Sequence, residues 1–497
     1  MNGVKHLISI KRLGADVLFE QIIPACLDMI EPASIAIPTV NSNHPKTVLY
    51  FDEDSTRTRM SFAEAARLLN WDAAQETLTC NSRNKHESWF DTLMMWHEFN
   101  TKVICARTHQ EGVQLWLAEK TEQHKLNIGI INAGDGRNQH PTQTILDLVT
   151  IQKKLGRLDD FKIGFVGDLQ KSRTTHSLLD ALHMRNKISV VCVSPDNVKL
   201  PRHYAGMFSD FTEESRLESL SDCDVIYVVR WQAERLEPNS QEFRAFLQVK
   251  QHYQINKKAL NMLKPNVMIM HALPIDQTVE EIAHDIMNDS RVVAYEQAWF
   301  GVPCRMAILQ MILNNLQEYV SFNPAKNTII QEEKNLSLTE ALKKTRNKQH
   351  EHFIPLECGT VIDHLEPGAG IIIRMMLKRT ASVDNDIIIV ENKNPLKDML
   401  ALKGIFLTEK TMIDIAGLSP RATFNVMREG RFKKIRIIQP KQVISGIGTC
   451  LNTHCVTQSG EPGITSRFIN TSQNSHPFEC DYCGQHFTLA EILPIAV

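Results

Sequence analysis

Two doubly wound α/β domains with parallel sheets, then an α+β domain and a small cysteine-rich β domain, are the fold class this sequence predicts. Three observations carry it. Apolar strand-like runs alternate with amphipathic helical stretches from Val4 to about Thr150, and again from about Phe161 to Ala298. A β-α-β-β-α-β order begins near Phe353. Four cysteines stand in two close pairs near the end of the chain, at 450, 455, 480 and 483.

Val48-Leu49-Tyr50-Phe51 is a short β-favouring run, and Phe62, Ala65, Ala66 and Leu69 follow at helical spacing. The same alternation recurs at Ile128–Ile131 before a helix opened by His140-Pro141, where proline suits the first turn. Gly156 reads as the C-cap of that helix, closing the first α/β stretch. Val166 ends another strand and Arg173 opens the helix after it; strands then end at Val229 and Met270. Pro303 to Val320 reads as a long helix with one apolar face. The stretch 323–352, rich in Lys, Glu, Asn and Gln, has the look of a linker, part of it helical around Leu336, Leu338 and Leu342. Beyond it, strands are expected at Thr360–His364, Ile387–Val390, Met399–Leu407 and within Thr423–Ile438. Helices are expected at Gly370–Lys378 and, capped by Thr408, at Glu409–Gly417. That order is the ferredoxin-like split unit.

The chain has 497 residues, 43% hydrophobic and 23% charged, with a net charge of -2. This is an ordinary globular composition, and its charge gives no reason to expect nucleic acid or an anionic membrane as partner. Met1–Gly14 lacks an apolar core followed by a small-residue cleavage site, so no secretion signal is expected. No run is long enough for a membrane span, and a cytoplasmic location follows. Cys26, Cys80, Cys105, Cys192, Cys223, Cys304 and Cys358 are scattered, and are expected to be reduced and buried.

The polar clusters fall where strands end. Ser55-Thr56-Arg57-Thr58-Arg59 lies between a strand and a helix N-terminus, where free N–H groups, hydroxyls and forked guanidiniums suit a phosphate. Taken alone, it is equally a helix cap with two solvated arginines. The tracts at Asn132–Gly136 and His140–Gln143, at Gly167-Asp168 and Arg173–His176, at Arg230, Gln232 and Arg235, and at His271-Ala272-Leu273-Pro274 also sit at carboxyl ends of strands. Open α/β sheets bind their ligands there.

Ser-Thr-Arg-Thr-Arg, His-Pro-Thr-Gln and His-Ala-Leu-Pro, in this order over residues 1–322, resemble the aspartate/ornithine carbamoyltransferase family. The resemblance implies a carbamoyl-phosphate-binding domain at 1–150, completed by a helix at 303–322, and an aspartate-binding domain at 151–302. Ser55, Thr56, Arg57 and Thr58 would take the phosphate. Thr58, Arg107 and His140 would face the carbonyl oxygen, and Gln143 the carbamoyl amide. Leu273 and Pro274 would offer backbone contacts. Arg173, Arg230 and Gln232 would take the carboxylates of L-aspartate. Glu53 and Arg235 match residues that hold the closed arrangement. Lys85 matches a lysine that reaches a neighbouring subunit's site, which implies a homo-oligomer with catalytic trimers. Asn81, His86 and Ile275 depart from the serine, glycine and arginine usual there.

Cys450 and Cys455 have four residues between them, Cys480 and Cys483 two, and twenty-four separate the pairs. Two short-spaced pairs fit a tetrahedral four-cysteine zinc site, closed and therefore structural. His454, His476 and His486 are nearby but break the paired spacing. Between Ser445 and Val497 the only Lys or Arg is Arg467, too little positive charge for nucleic acid. With Gly359–His364, the Pro420–Asn425 tract and these cysteines, residues 353–497 resemble the regulatory chain of aspartate carbamoyltransferase. The resemblance implies a linker at 323–352, a nucleotide-binding-like domain at 353–444 and a zinc domain at 445–497. CTP or ATP would be the effectors, near Asp363, His364, Lys397 and Asn425. The positions of two family lysines fall on Ala401 and Ile435, which predicts weakened nucleotide binding. An ornithine-type enzyme and a non-catalytic scaffold are the alternatives. Absence of Ser-Met-Gly and His-Cys-Leu-Pro disfavours the first; retention of Arg57, Arg107, His140, Arg173 and Arg230 disfavours the second.

Overall fold

The computed structural model describes residues 4–31, 44–53, 55–77, 82–231, 252–277, 279–318, 329–337, 358–365, 369–380, 387–391, 398–419, 421–428, 431–438, 443–445, 448–471 and 477–492. Gln232, Arg235, Asn81, Lys397 and Cys80 lie outside them. The chain forms two compact units, Met1–Phe322 and Asn323–Val497.

The first unit has two parallel sheets. β1 (Lys46–Phe51), β2 (Asp72–Thr77), β3 (Thr101–Thr108) and β4 (Gly129–Asp135) lie in the order β2-β1-β3-β4. The middles of the central strands are apolar because helices cover both faces of the sheet; Val48, Leu49, Tyr50 and Phe51 of β1 and Val103, Ile104, Cys105 and Ala106 of β3 are all buried. β5 (Phe161–Val166), β6 (Ile188–Val193), β7 (Asp210–Glu214), β8 (Val225–Val228) and β9 (Met268–His271) lie in the order β7-β6-β5-β8-β9. In each sheet the strand order reverses once, between β1 and β3 and between β5 and β8. Those reversals leave crevices at the carboxyl ends of the strands.

The helix Pro141–Leu155 joins the two sheets and ends at Gly156, whose φ of 77° needs no Cβ and whose N–H donates to Gln152 O. The helix expected to begin at Pro303 begins earlier, at Ala294, and runs to Glu318 with Pro303 inside it. Proline lacks the N–H for one helical bond. The helix continues because Val302, Cys304, Met306, Ala307, Leu309, Ile312 and Leu316 are buried along it.

In the second unit, β11 (Gly359–Leu365), the helix Ala369–Thr380, β12 (Ile387–Glu391), β13 (Asp398–Lys403), the helix Glu409–Leu418 and β14 (Thr423–Arg428) give the split unit in the order β14-β11-β13-β12. Thr408 caps its helix as expected, its hydroxyl accepting from Thr411 N. Three expectations need correction. β13 stops at Lys403, where Gly404 turns with φ 71°, and does not reach Leu407. Thr423–Ile438 is two antiparallel strands, β14 and β15 (Arg431–Ile438). The stretch read as linker holds a strand, β10 (Ile329–Ser337), paired antiparallel with β15 at the sheet edge. Of the three leucines that suggested a helix, Leu336 lies in this strand, and Leu338 and Leu342 lie outside the described residues.

β16 (Val443–Ser445), β17 (Arg467–Asn470), β18 (Phe478–Cys480) and β19 (His486–Phe487) form the last antiparallel sheet. Asn470 Nδ2 donates to Gly417 O at 2.8 Å, tying this sheet to the helix Glu409–Leu418. Cys26, Cys105, Cys192, Cys223 and Cys304 are buried thiols, whereas Cys358 is exposed, contrary to expectation, at the residue that leads into β11.

Candidate active site

A pocket of about 520 Å³ opens where both parallel sheets present their carboxyl ends. Glu53 follows β1, Arg107 lies near the end of β3, and His140 follows β4 and precedes its helix. Arg173 opens the helix after β5, Arg230 follows β8, and His271 ends β9. All of these line the pocket, with Ser55, Thr56, Arg57, Thr58, Gln143, Leu273 and Pro274.

Ser55 is the N-cap of the helix Thr56–Leu68, yet its side chain makes no capping hydrogen bond, nor does His140 at the head of Pro141–Leu155. Two helix N-termini thus meet the pocket without an internal side-chain cap. Their N–H groups favour an anion. Ser172, heading Arg173–Leu182, is capped normally and accepts from Thr175 N.

Glu53 gathers two of the arginines. Its Oε1 accepts from Arg107 Nη2 at 3.0 Å and from Arg173 Nη2 at 2.9 Å, and its Oε2 accepts from Arg173 Nη1 at 2.9 Å. Arg173 Nη1 also donates to Gly136 O at 2.6 Å. Gly134, with φ 117°, lies against this cluster. A Cβ there would stand 3.1 Å from Arg107 Nη1, 3.3 Å from Arg173 Cζ and 3.4 Å from His140 Cδ2.

The pocket's field is strongly positive. Among the described residues its lining carries Arg57, Arg107, Lys171, Arg173, Arg230 and Arg305 against one carboxylate, Glu53. Burial, and then the neighbouring Arg173, brings the Arg107 guanidinium down to about 9, still cationic at neutral pH, with Glu53 opposing. Burial, followed by Arg230, also lowers Arg57. Burial and the charges of Arg107, Arg173 and Arg305 hold His140 well below its ordinary value, so its imidazole is neutral. Burial with Arg230 and Arg57 takes His271 down to about 3. A neutral imidazole and several fixed cations can donate to a developing oxyanion without accepting a proton first.

Three residues singled out in the sequence stand apart from the pocket. Lys85 ends the short 3-10 helix Ser82–Lys85, is exposed, and does not line the pocket. His86, next to it, adopts φ 64°, a conformation that glycine takes without strain. Ile275, the other described departure, packs against the apolar core of the β5–β9 domain. Sequence reasoning missed Arg305, Gln297 and Lys171 as lining residues. Arg305 is 3% exposed and holds the face of Phe62 at 4.9 Å. A lone arginine in the apolar run Val302–Leu309 was the available signal.

In the second unit, Cys450, Cys455, Cys480 and Cys483 are buried and place their sulfurs within 4.8 Å of one another. Cys450 Sγ and Cys483 Sγ are 3.6 Å apart, Cys455 Sγ and Cys480 Sγ 3.9 Å. Four thiolates on a tetrahedral ion with bonds of about 2.3 Å would be about 3.8 Å apart, so the donor set fits. His454 and His486 are not part of the cluster, and His476 lies outside the described residues. Asp363 and His364 pair with each other at 3.0 Å at the end of β11, and Thr423 Oγ1 lies 3.4 Å from His364 Nδ1. Asn425 stands on β14 opposite Lys434 of β15. Ala401 and Ile435 are both buried.

Four family descriptions match the chain in succession. They are the aspartate/ornithine carbamoyltransferase carbamoyl-P binding domain over residues 5–153 and its Asp/Orn binding domain over 159–312, then the aspartate carbamoyltransferase regulatory chain allosteric domain over 352–438 and metal binding domain over 442–493. The aspartate carbamoyltransferase catalytic subunit of Methanocaldococcus jannaschii is 35% identical over 326 residues, which span 63% of this chain and 99% of that protein. That of Thermococcus onnurineus is 38% identical over 273 residues, 54% of this chain and 84% of that protein. A crystal structure of the M. jannaschii catalytic subunit superposes with a TM-score of 0.57 at 34% identity, covering 64% of this chain and all of that one. Aspartate transcarbamoylase from Trypanosoma cruzi, in complex with N-(phosphonacetyl)-L-aspartic acid, superposes with a TM-score of 0.55 at 26% identity, covering 63% of this chain and 96% of that one. The chain belongs to the aspartate carbamoyltransferase family and joins catalytic-chain and regulatory-chain sequences in one polypeptide.

Proposed function

We propose that the pocket moves the carbamoyl group of carbamoyl phosphate to the amine of L-aspartate, giving N-carbamoyl-L-aspartate and phosphate. The observation that carries this is the uncapped helix N-terminus at Ser55, with Arg57 beside it, facing the Arg107–Glu53–Arg173 cluster across one cavity. Ser55, Thr56, Arg57 and Thr58 take the phosphate. Thr58, Arg107 and neutral His140 donate to the carbonyl oxygen as it gains charge, and Gln143 meets the carbamoyl amide. Leu273 and Pro274 contribute backbone polar groups, and Arg173 and Arg230, with Gln232, take the two carboxylates. The amine nitrogen attacks the carbonyl carbon, the bond from that carbon to the phosphate oxygen breaks, and the surplus amine proton leaves to phosphate or solvent. Held reactants and fixed donors supply the rate enhancement.

Ornithine would bring its own cation into a lining whose described residues include six cationic side chains and one carboxylate, which disfavours that substrate. The test offers carbamoyl phosphate with aspartate and with ornithine separately. Product with aspartate alone, lost in Arg57→Ala, supports the assignment. Equal turnover of ornithine, or no turnover in folded protein, removes it.

Residues 1–150 with the returning helix make the carbamoyl-phosphate domain in this reading, and 151–302 the aspartate domain. Lys85, exposed and away from the pocket of its own chain, serves a neighbouring chain's pocket in a homo-oligomer built on trimers. Mixing inactive His140→Ala and Lys85→Ala chains would then restore part of the activity. Zinc is the metal of the four-cysteine site, where a closed shell of thiolates folds the module and takes no part in transfer. Residues 353–444 form the effector domain, with CTP or ATP near Asp363, His364, Lys397 and Asn425. No helix among the described residues is long and apolar enough to cross a membrane. The cytoplasm, where thiols stay reduced, suits the scattered cysteines.

A further inference from the structure

Asp147 is wholly buried beneath the pocket and does not line it, yet it receives hydrogen bonds from both lobes. Its Oδ1 accepts from Gln143 Nε2 at 2.9 Å and from Gln297 Nε2 at 2.6 Å, and its Oδ2 accepts from the Tyr227 hydroxyl at 2.9 Å. Gln297 Oε1 in turn accepts the backbone N–H of His271 at 2.9 Å. A backbone N–H can only donate, so the Gln297 amide has one orientation, with its NH2 towards Asp147. Oδ1 is therefore an acceptor. On the ionised carboxylate, which can only accept, the Gln143 amide must also present its NH2 to Oδ1, which leaves its carbonyl oxygen as the end available to the pocket that Gln143 lines.

From this we infer that Asp147 is a positioning residue for specificity: it fixes the Gln143 amide so that its oxygen, not its NH2, faces the acyl group of the donor substrate. The inference rests on the carbamoyl-transfer reading above. An oxygen acceptor at that point binds the –NH2 of a carbamoyl group and offers nothing to the methyl of an acetyl group. Burial raises the Asp147 carboxyl to about 7 against the pull of its three donors. A proton taken up on Oδ2 turns that oxygen into a donor to Tyr227 and leaves Oδ1 accepting from both glutamines, so the Gln143 orientation is the same in that protonated form as in the ionised one. Sites that hydrogen-bond a substrate group discriminate strongly against analogues lacking it.

The experiment compares kcat/KM for carbamoyl phosphate and for acetyl phosphate, aspartate being the acceptor, in the unsubstituted full-length chain and in Asp147→Ala, Asp147→Leu and Asp147→Asn. The leucine variant fills the volume should the alanine variant fail to fold. Removing the acceptor frees Gln143 to turn. The carbamoyl-to-acetyl ratio is expected to fall at least tenfold in the alanine or leucine variant. Asparagine keeps an oxygen towards the two glutamines and its NH2 towards the Tyr227 oxygen, so the ratio should return to within about threefold of the unsubstituted protein. A merely structural role lowers both rates together and leaves the ratio unchanged, and that result in a folded variant overturns the inference. Absence of carbamoyl transfer in the unsubstituted protein would instead overturn the functional reading.

Discussion

Glu53 and Arg173 form a two-bond carboxylate–guanidinium pair between the lobes, at 2.9 Å for both bonds, with Glu53 following β1 and Arg173 opening the helix after β5. Glu53 also holds Arg107, so one carboxylate links the arginine proposed to face the carbonyl to a proposed aspartate ligand. Removing its charge leaves the buried Arg107 and the partly buried Arg173 in mutual repulsion and loosens the closure of one lobe on the other. Glu53→Gln should therefore lower kcat/KM for aspartate by about 10- to 100-fold, about 1.4–2.8 kcal/mol, less than the cost of breaking a fully buried charge pair because this one is only partly buried. Steady-state kinetics with aspartate varied at saturating carbamoyl phosphate checks this. An unchanged kcat/KM would show that the pair is dispensable.

Gly134 tests the packing of the same cluster. Its φ of 117° suits glycine, and a methyl group would meet Arg107, Arg173 and His140 at 3.1–3.4 Å. Gly134→Ala should reduce kcat by about 100-fold, because displacing pre-aimed donors by a fraction of an ångström forfeits oxyanion stabilisation. The variant's four-cysteine module lies in the other compact unit, so its metal content should be unaltered. Near-native kcat would mean that the cluster gives way freely.

The pH profile has a definite sign for His140. Burial and three arginines keep its proton affinity well below the ordinary histidine value, so the neutral ring is already present throughout the neutral range. As pH falls through 6.5 the ring should stay neutral, protonating only well below that. The kcat profile should accordingly show no acid limb near 6.5 due to this residue. His140→Ala should lower kcat at every pH between 6 and 8 by a similar factor, whereas a factor that shrinks sharply towards pH 6 would place the protonation of His140 within that range.

Much of this architecture was legible from the chain. The Ser55–Arg59, His140–Gln143 and His271–Pro274 tracts sit at strand ends, and strand ends in open parallel sheets are where ligands bind, so each local reading agreed with the others. The start of the helix at Ala294 was not legible, because Pro303 signals a first turn locally and only tertiary burial of its neighbours overrides that signal. Strand β10 was hidden for a related reason: its pairing partner, β15, lies about a hundred residues on, and a polar edge strand carries little periodic signal. Asp147, Gln297 and Arg305 escaped notice since each stands within a helix that reads as structural, and only the fold turns them towards the same cavity floor. His86 is the reverse case. Its departure from glycine was visible in the sequence, and the structure supplies the reason glycine is usual there, a left-handed backbone.

The four-cysteine module should depend on its metal. Its sheet is small, so metal binding supplies folding energy that apolar burial cannot. Purified protein should hold one zinc per chain by elemental analysis, and Cys480→Ser should lose it. Stoichiometric zinc in that variant would refute the ligand set.

Nucleotide binding in the second unit should be weak. Ala401 lies on β13 between Val361 of β11 and Ile388 of β12 and is wholly buried, and Ile435 on β15 is also buried. Neither side chain has a charge to offer a phosphate, where the resemblance to the regulatory chain implies lysines. The Asp363 carboxylate, moreover, accepts from the His364 backbone N–H at 2.7 Å and pairs with the His364 ring at 3.0 Å. Loss of even two charge-assisted phosphate contacts, each worth about 1.5–3 kcal/mol, would weaken a micromolar ligand to roughly millimolar or beyond. Isothermal calorimetry with CTP and with ATP on the full-length chain should show no binding tighter than about 1 mM, in line with that loss. A micromolar Kd for either would mean that cations elsewhere, with Lys433 and Lys434 of β15 the nearest described candidates, have taken over the phosphates.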